Sequence, residues 1–126
     1  MGGSATIGNM SILTDDGEIT ASVSWDYEFT LHVVGHELGH NFGMAHANSM
    51  ECFSCNTNNY GDFFDIMGNG DSKHINAPHK EEMGWLGSDN IVVASEGEYL
   101  LKPLETKQPK GAIQQIKLPL KVKPSV

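Results

Sequence analysis

The sequence predicts an α+β fold, and three observations carry that prediction. A segment over about residues 25–42 places apolar residues at helical spacing. Short alternating stretches, bounded by glycines and acidic turns, lie near both ends, and an Asn-, Asp- and Gly-rich loop separates the long helix from a shorter one. At 126 residues the chain has room for one modest domain, and a hydrophobic share of 39% with 14 glycines forecasts a small core.

Taken in order, residues 2–8, GGSATIG, read as a glycine-led edge strand. Asp15-Asp16-Gly17 is a turn signal, and Ile19 to Ser24 alternates as a short strand. Ser24 is the expected N-cap of the long helix, with Asp26 and Glu28 in a first turn whose dipole favours acids. Leu31, Val34, Leu38 and Phe42 form a stripe expected to pack into the core and fix the helix. Gly43, tolerant of positive φ, ends it. Residues 48–72 are expected to be loop, interrupted only by the apolar run around Phe63-Phe64-Asp65-Ile66-Met67-Gly68. A second helix fits Ala77 to Met83, with Asn76 as N-cap, Pro78 in the first turn and Gly84 at its C-terminal end. Ile91–Ser95, Tyr99–Lys102 and Ala112–Leu118 read as strands, the first two a hairpin through Glu96-Gly97. Residues 1–89 are thus expected to form one unit and 90–126 the start of a β-rich segment.

The net charge of −8 is unevenly spread. Residues 1–99 hold 15 carboxylates against Lys73 and Lys80, a balance of −13, whereas residues 100–126 set six lysines against Glu105, a balance of +5. The chain has no arginine, the side chain most used for bidentate phosphate and guanine contacts, so nucleic-acid binding is not expected. The basic C-terminal lysines read as solvated strand faces. No apolar run approaches the roughly 18 residues of a membrane span, and Met1-Gly2-Gly3-Ser4 shows no signal-peptide pattern. Cys52 and Cys55 stand as C-F-S-C, without the second pair of a zinc ribbon. A disulfide between them, pairing with cysteines outside this chain, and inert thiols all remain open.

Chemistry concentrates in residues 36–46, His-Glu-Leu-Gly-His-Asn-Phe-Gly-Met-Ala-His. On a helix His36 and His40 project from one face one turn apart, the spacing at which two imidazoles share a metal. Glu37, rotated by about 100°, is poorly placed as a third ligand but can reach a water on the same ion. Gly43 lets the chain leave the helix sharply and fold His46 back toward the metal. Three neutral imidazoles leave a fourth tetrahedral position open, the arrangement of a catalytic Zn²⁺ site. His32, one turn before His36, reads as a supporting or surface residue. His74 and His79, flanking the second helix, are read as outside the site.

The run fits HExxHxxGxxH at every fixed position and resembles the metzincin zinc endopeptidases. That resemblance implies a Met-turn, a tight turn placing a methionine beneath the imidazoles, and Met67, 27 residues after His40, is its candidate. Residues 60–68 and Asn76-Ala77-Pro78-His79-Lys80, followed by Met83-Gly84-Trp85-Leu86, are most similar to the gametolysin-like branch. The adamalysin-like branch ranks second, because Ala47 and Asp65 stand where it usually has Asp and Cys. Asn69 and Gly70 stand where some metzincins have an oxyanion-stabilising tyrosine, so Tyr60 is the nearest phenol, with the metal expected to provide most of that stabilisation. Asp62 and Asp65 either orient a ligand imidazole from behind or build the turn, the turn being the simpler reading. The Asn/Asp-rich loop lacks the order of an EF-hand calcium site.

The resemblance implies a partial metzincin catalytic domain. With only about 25 residues before the zinc helix, most of its N-terminal sheet is expected to be missing, and Gly3 to Ile7 are candidates for substrate contact along the remnant edge. It implies hydrolysis of protein or peptide substrates, extracellular or cell-wall proteins among them, by a zinc-bound water with Glu37 as general base. It also implies a secreted or cell-surface setting. The competing expectation is a truncated zinc-binding module that cleaves nothing.

Overall fold

Thr30 opens the long helix. Its backbone is extended and its hydroxyl accepts a hydrogen bond from Val33 N, so helix α1 runs Leu31–Phe42. The expected start at Ser24 is therefore corrected, and the competing force is strand pairing. Ser24–Asp26 forms strand β4, antiparallel to β1, Gly3–Ala5, with Gly3 opposite Asp26 and Ala5 opposite Ser24. Thr6 N donates to the Val23 carbonyl at 2.9 Å and Val23 N donates to the Thr6 hydroxyl at 3.1 Å, continuing the pairing beyond that ladder. At the other end Gly43 has φ 108° and ends α1 as expected, its N–H donating to the His40 carbonyl. The structure, a computed structural model, describes residues 2–51, 56–69 and 74–119.

Between β1 and β4 the chain makes an antiparallel hairpin, β2 (Met10–Thr14) against β3 (Gly17–Ala21), turning at Asp15-Asp16. The turn was legible; strand β2 was not, because Met10-Ser11-Ile12-Leu13-Thr14 breaks strict alternation. Asn41 fastens the β1–β4 pair to α1, its Nδ2 donating to the carbonyls of Thr6 (3.2 Å) and Val23 (3.1 Å). Gly8 N adds a bond to the His40 carbonyl at 2.8 Å.

The buried side of α1 is His36, Glu37, Gly39 and His40. Leu31, Leu38 and Phe42 are 66%, 46% and 62% exposed, so the apolar stripe does not form the core as expected. The reason lies in two glycines. A Cβ at Gly35 would overlap Ile66, and one at Gly39 would overlap the Met67 sulfur, so the turn at 66–67 seats directly on the helix backbone. The core there is Met44, Ala47, Ile66 and Met67, with Ile75 and Met83 packed against it.

The segment expected to be loop contains a short antiparallel pair, β5 (Ser49–Glu51) with β6 (Asn56–Asn58). Its polar residues carry no alternation by which it could be read. Cys52 and Cys55 lie outside the described residues, as do Gly70 and the C-terminal residues 120–126. Helix α2, Ala77–Glu82, forms where expected, with Asn76 Oδ1 accepting from His79 N and Gly84 at φ 70° just beyond it.

Strand β7, Ile91–Val93, pairs in parallel with β8, Gln115–Lys117, which corrects the expected 91–102 hairpin. Tyr99 instead turns back, its hydroxyl accepting from Ser95 N at 2.8 Å, and Lys102 N donates to the Ile113 carbonyl at 2.7 Å. Glu81 on α2 holds both Gln115 and Lys117 of β8, and Lys80 Nζ donates to the Leu104 carbonyl. The result is a small mixed helix-and-strand structure. Among the described residues no helix is long and apolar enough to cross a membrane.

Candidate metal centre

Helix periodicity sets His36 and His40 side by side, and the glycine exit brings His46 to them. One nitrogen from each ring lies within 4.8 Å of the others, the single such convergence of three metal-binding side chains among the described residues. His40 Nε2 and His46 Nε2 are 3.1 Å apart, and the His36 and His40 ring centroids are 4.9 Å apart. Two tautomers are fixed from behind. His36 Nδ1 lies 2.8 Å from the Ile66 carbonyl and His40 Nδ1 lies 2.8 Å from the Met44 carbonyl. A carbonyl can only accept, so each Nδ1 carries the proton and each Nε2 presents a lone pair. His36 Nε2 is buried and has no hydrogen-bond partner among the described residues. Burial lowers the pKa of His36 and of His46, and neighbouring histidines lower both further, which favours the unprotonated rings that a metal needs.

Glu37 sits beside this triad. Its side chain is almost fully buried and its Oε2 has no partner among the described residues. Burial raises its pKa, and the Asp26 carboxylate adds to the rise. Gly3 is required here: a Cβ on it would stand 2.8 Å from Glu37 Oε1 and 2.9 Å from Asp26 Oδ1. Gly3, Ser4, Ala5 and Ile7 line one wall of a cleft of about 250 Å³, and His36, Glu37, His40, His46 and Tyr60 line the rest. The strand named as a substrate-contact candidate therefore borders the histidine cluster.

Tyr60 adopts φ 62°, and its ring lies over His46 with centroids 3.8 Å apart and over His36 at 5.8 Å. Burial, and then the Glu37 carboxylate, raise its pKa, so its phenol keeps its proton. Met67 is fully buried, with its sulfur against Gly39 between the two clustered histidines of α1. Gly43 supplies the exit that the sequence assigned to it.

Asp62 and Asp65 touch none of the three clustered imidazoles in the bonds they make. Asp62 accepts from Phe64 N and Asn76 Nδ2, both at 2.8 Å, and so builds the turn. Asp65, fully buried, accepts from Met67 N (2.7 Å), Asn76 N (2.8 Å) and His79 Nδ1 (2.9 Å). Burial pushes its pKa up, but these bonds more than reverse that and hold it below the usual carboxylate value. The bond to Asp65 in turn raises the pKa of His79. Sequence reading left His79 outside the site, although one signal pointed to it. A single carboxylate inside the apolar run Phe63-Phe64-Asp65-Ile66-Met67 needs a buried partner. His32, with its ring 6.0 Å from that of His36, does not join the cluster.

A divalent metal fits this set of donors. Three lone-pair nitrogens converge, two with their tautomer fixed, and one of them is buried without any other partner. No curated protein and no solved structure matches the chain. The profile of the family described as Gametolysin peptidase M11 matches residues 7–123, nearly the whole length. Together with a histidine cluster able to hold a metal, that match makes the assignment: the chain belongs to the gametolysin peptidase family, a family of metallopeptidases.

Proposed function

We propose that this chain is a zinc-dependent endopeptidase unit in which His36, His40 and His46 hold Zn²⁺ and Glu37 is the general base. The observation that carries the reading is the unpartnered Glu37 Oε2 in the same cleft as three converging imidazole nitrogens. Three imidazole nitrogen donors suit zinc better than the hard, oxygen-seeking cations. Bound there, zinc would supply a Lewis acid that acidifies water and polarises a peptide carbonyl.

The residues of the chain do the rest. Glu37, oriented beside Gly3, accepts a proton from water in the cleft and returns it to the nitrogen of the departing amine. The free edge of β1 offers backbone groups to an extended peptide, as strand addition requires. Tyr60, protonated on the cleft wall, is the donor available to a developing oxyanion. Met67 in this reading is the Met-turn residue, supporting the ligand helix by packing rather than ligation. Residues 1–89 carry this machinery in this reading, and residue 90 opens the start of a β-rich segment. Secretion or surface display, with extracellular or cell-wall proteins as substrates, goes with the family assignment.

Zinc uptake at one ion per chain, measured beside cleavage of unfolded casein, tests the proposal. Glu37→Gln is expected to keep zinc and to lose about 10²–10⁴-fold of the cleavage rate. Wild-type turnover by that variant would refute the role of Glu37. Zinc uptake by the wild-type chain without any cleavage would instead favour the binding-module reading.

A further inference from the structure

The mechanism above uses the front of the histidine cluster; the structure also shows what stands behind it. His36 owes its tautomer to one acceptor, the Ile66 carbonyl. That carbonyl shares a rigid, planar peptide unit with the N–H of Met67, and in a trans peptide the two point in opposite directions. Whatever grips the Met67 N–H therefore aims the Ile66 carbonyl. The grip is Asp65 Oδ1, at 2.7 Å. The carboxylate is held in turn through Oδ2, by Asn76 N at 2.8 Å and His79 Nδ1 at 2.9 Å. His79 is buried in α2, with its backbone N–H capped by Asn76.

We infer that His79 is a positioning residue for the metal centre: through Asp65 and the Ile66–Met67 peptide it fixes the tautomer and the orientation of His36. The inference deepens the metal-site reading above and rests on it. A fully buried carboxylate needs its donors, and His79 is the only side chain among the three. Removing it leaves Asp65 short of one bond in a dry place, free to take up a proton or rotate, and either change loosens its hold on Met67 N. The charged groups facing His79 are Asp65, Glu82 and Asp62, all acidic, so the ring is drawn toward this position in its protonated form as well.

The test uses the full chain with His79→Leu and His79→Gln, and it has two readouts that need no peptide cleavage. Nitrogen-15 NMR of the metal-free protein reports the tautomer of His36, and competition with a chromophoric chelator reports zinc affinity at fixed pH. In the wild type the His36 proton is expected on Nδ1. In His79→Leu the two tautomers should mix and zinc affinity should fall about 10–100-fold, the usual loss for a group that supports a metal ligand. Glutamine offers Asp65 an N–H again, and most of the affinity should return with it. A folded His79→Leu with unchanged His36 signals and zinc affinity overturns the inference, as does a glutamine variant no better than leucine. If the leucine variant does not fold, His79→Phe, which keeps a ring of similar size without a donor, takes its place: the same mixing of His36 tautomers and loss of zinc affinity are expected, and unchanged His36 signals and affinity overturn the inference. A chain that meets these expectations but cleaves nothing refutes the endopeptidase reading and leaves this one standing.

Discussion

Two turns of this molecule are built in opposite ways. The hairpin of β2 and β3 reverses at Asp15-Asp16, and most of its side chains, among them Leu13 at 85% exposure, face solvent. Its order comes from its own ladder of backbone bonds. The turn over residues 62–68 reverses inside the protein, where Asp65, Ile66 and Met67 are all buried. Buried polar groups of the turn find partners across the molecule: Asp65 in Met67 N, Asn76 N and His79, the Ile66 carbonyl in His36, and the Met67 carbonyl in Ala47 N at 2.9 Å. The difference teaches where a chain with a small core spends its interior. Four buried apolar side chains, Met44, Ala47, Ile66 and Met67, gather beside the clustered histidines, and the polar groups near them form a connected network rather than an isolated charge.

The comparison would break if both turns tolerated substitution equally, and the variants can be ranked. Met67→Ala removes a fully buried side chain from beneath α1 and should cost about 2–5 kcal/mol of unfolding free energy, measured by urea denaturation. Stripping zinc with a chelator should cost about 2.7 kcal/mol relative to zinc at a hundredfold excess over its dissociation constant. Hydrogen exchange should place that loss in residues 36–47 and 62–68 and leave the hairpin unchanged. Gly39→Ala pushes a methyl into the Met67 sulfur and should cost about 1–3 kcal/mol, read as a lower melting temperature. Leu13→Ser, on the exposed hairpin, should change stability by no more than about 0.5 kcal/mol. A larger loss at Leu13 than at Gly39 would reverse the contrast drawn here.

The candidate site was more legible in the sequence than the fold around it. His36, Glu37, His40, Gly43 and His46 lie within eleven consecutive residues, so helix geometry and one glycine exit were enough to bring them together. Helix α2 was legible for the same reason, because its cap, its proline and its terminal glycine are all local signals. The start of α1 was not. Ser24 and Asp26 satisfy the local rules for a helix N-terminus, yet β1 recruits them from 19 and 23 residues away. The parallel pairing of β7 with β8 was hidden likewise, because its partners are separated by the whole of residues 94–114.

By itself, then, the sequence pointed to the histidine cluster, to Glu37 beside it and to the helix that carries them, since all lie within eleven consecutive residues. Only the tertiary structure decided which face of that helix is buried. Periodicity marks Leu31, Leu38 and Phe42 as an apolar side, but Gly35 and Gly39, between that side and the histidines, allow Ile66 and Met67 to approach the backbone, and close packing follows closest approach. Only the tertiary structure, too, joined His79 to Asp65 and both to His36. A hydrogen bond across fourteen residues leaves no period in the sequence, and a buried carboxylate shows its partner only once the chain has closed around it.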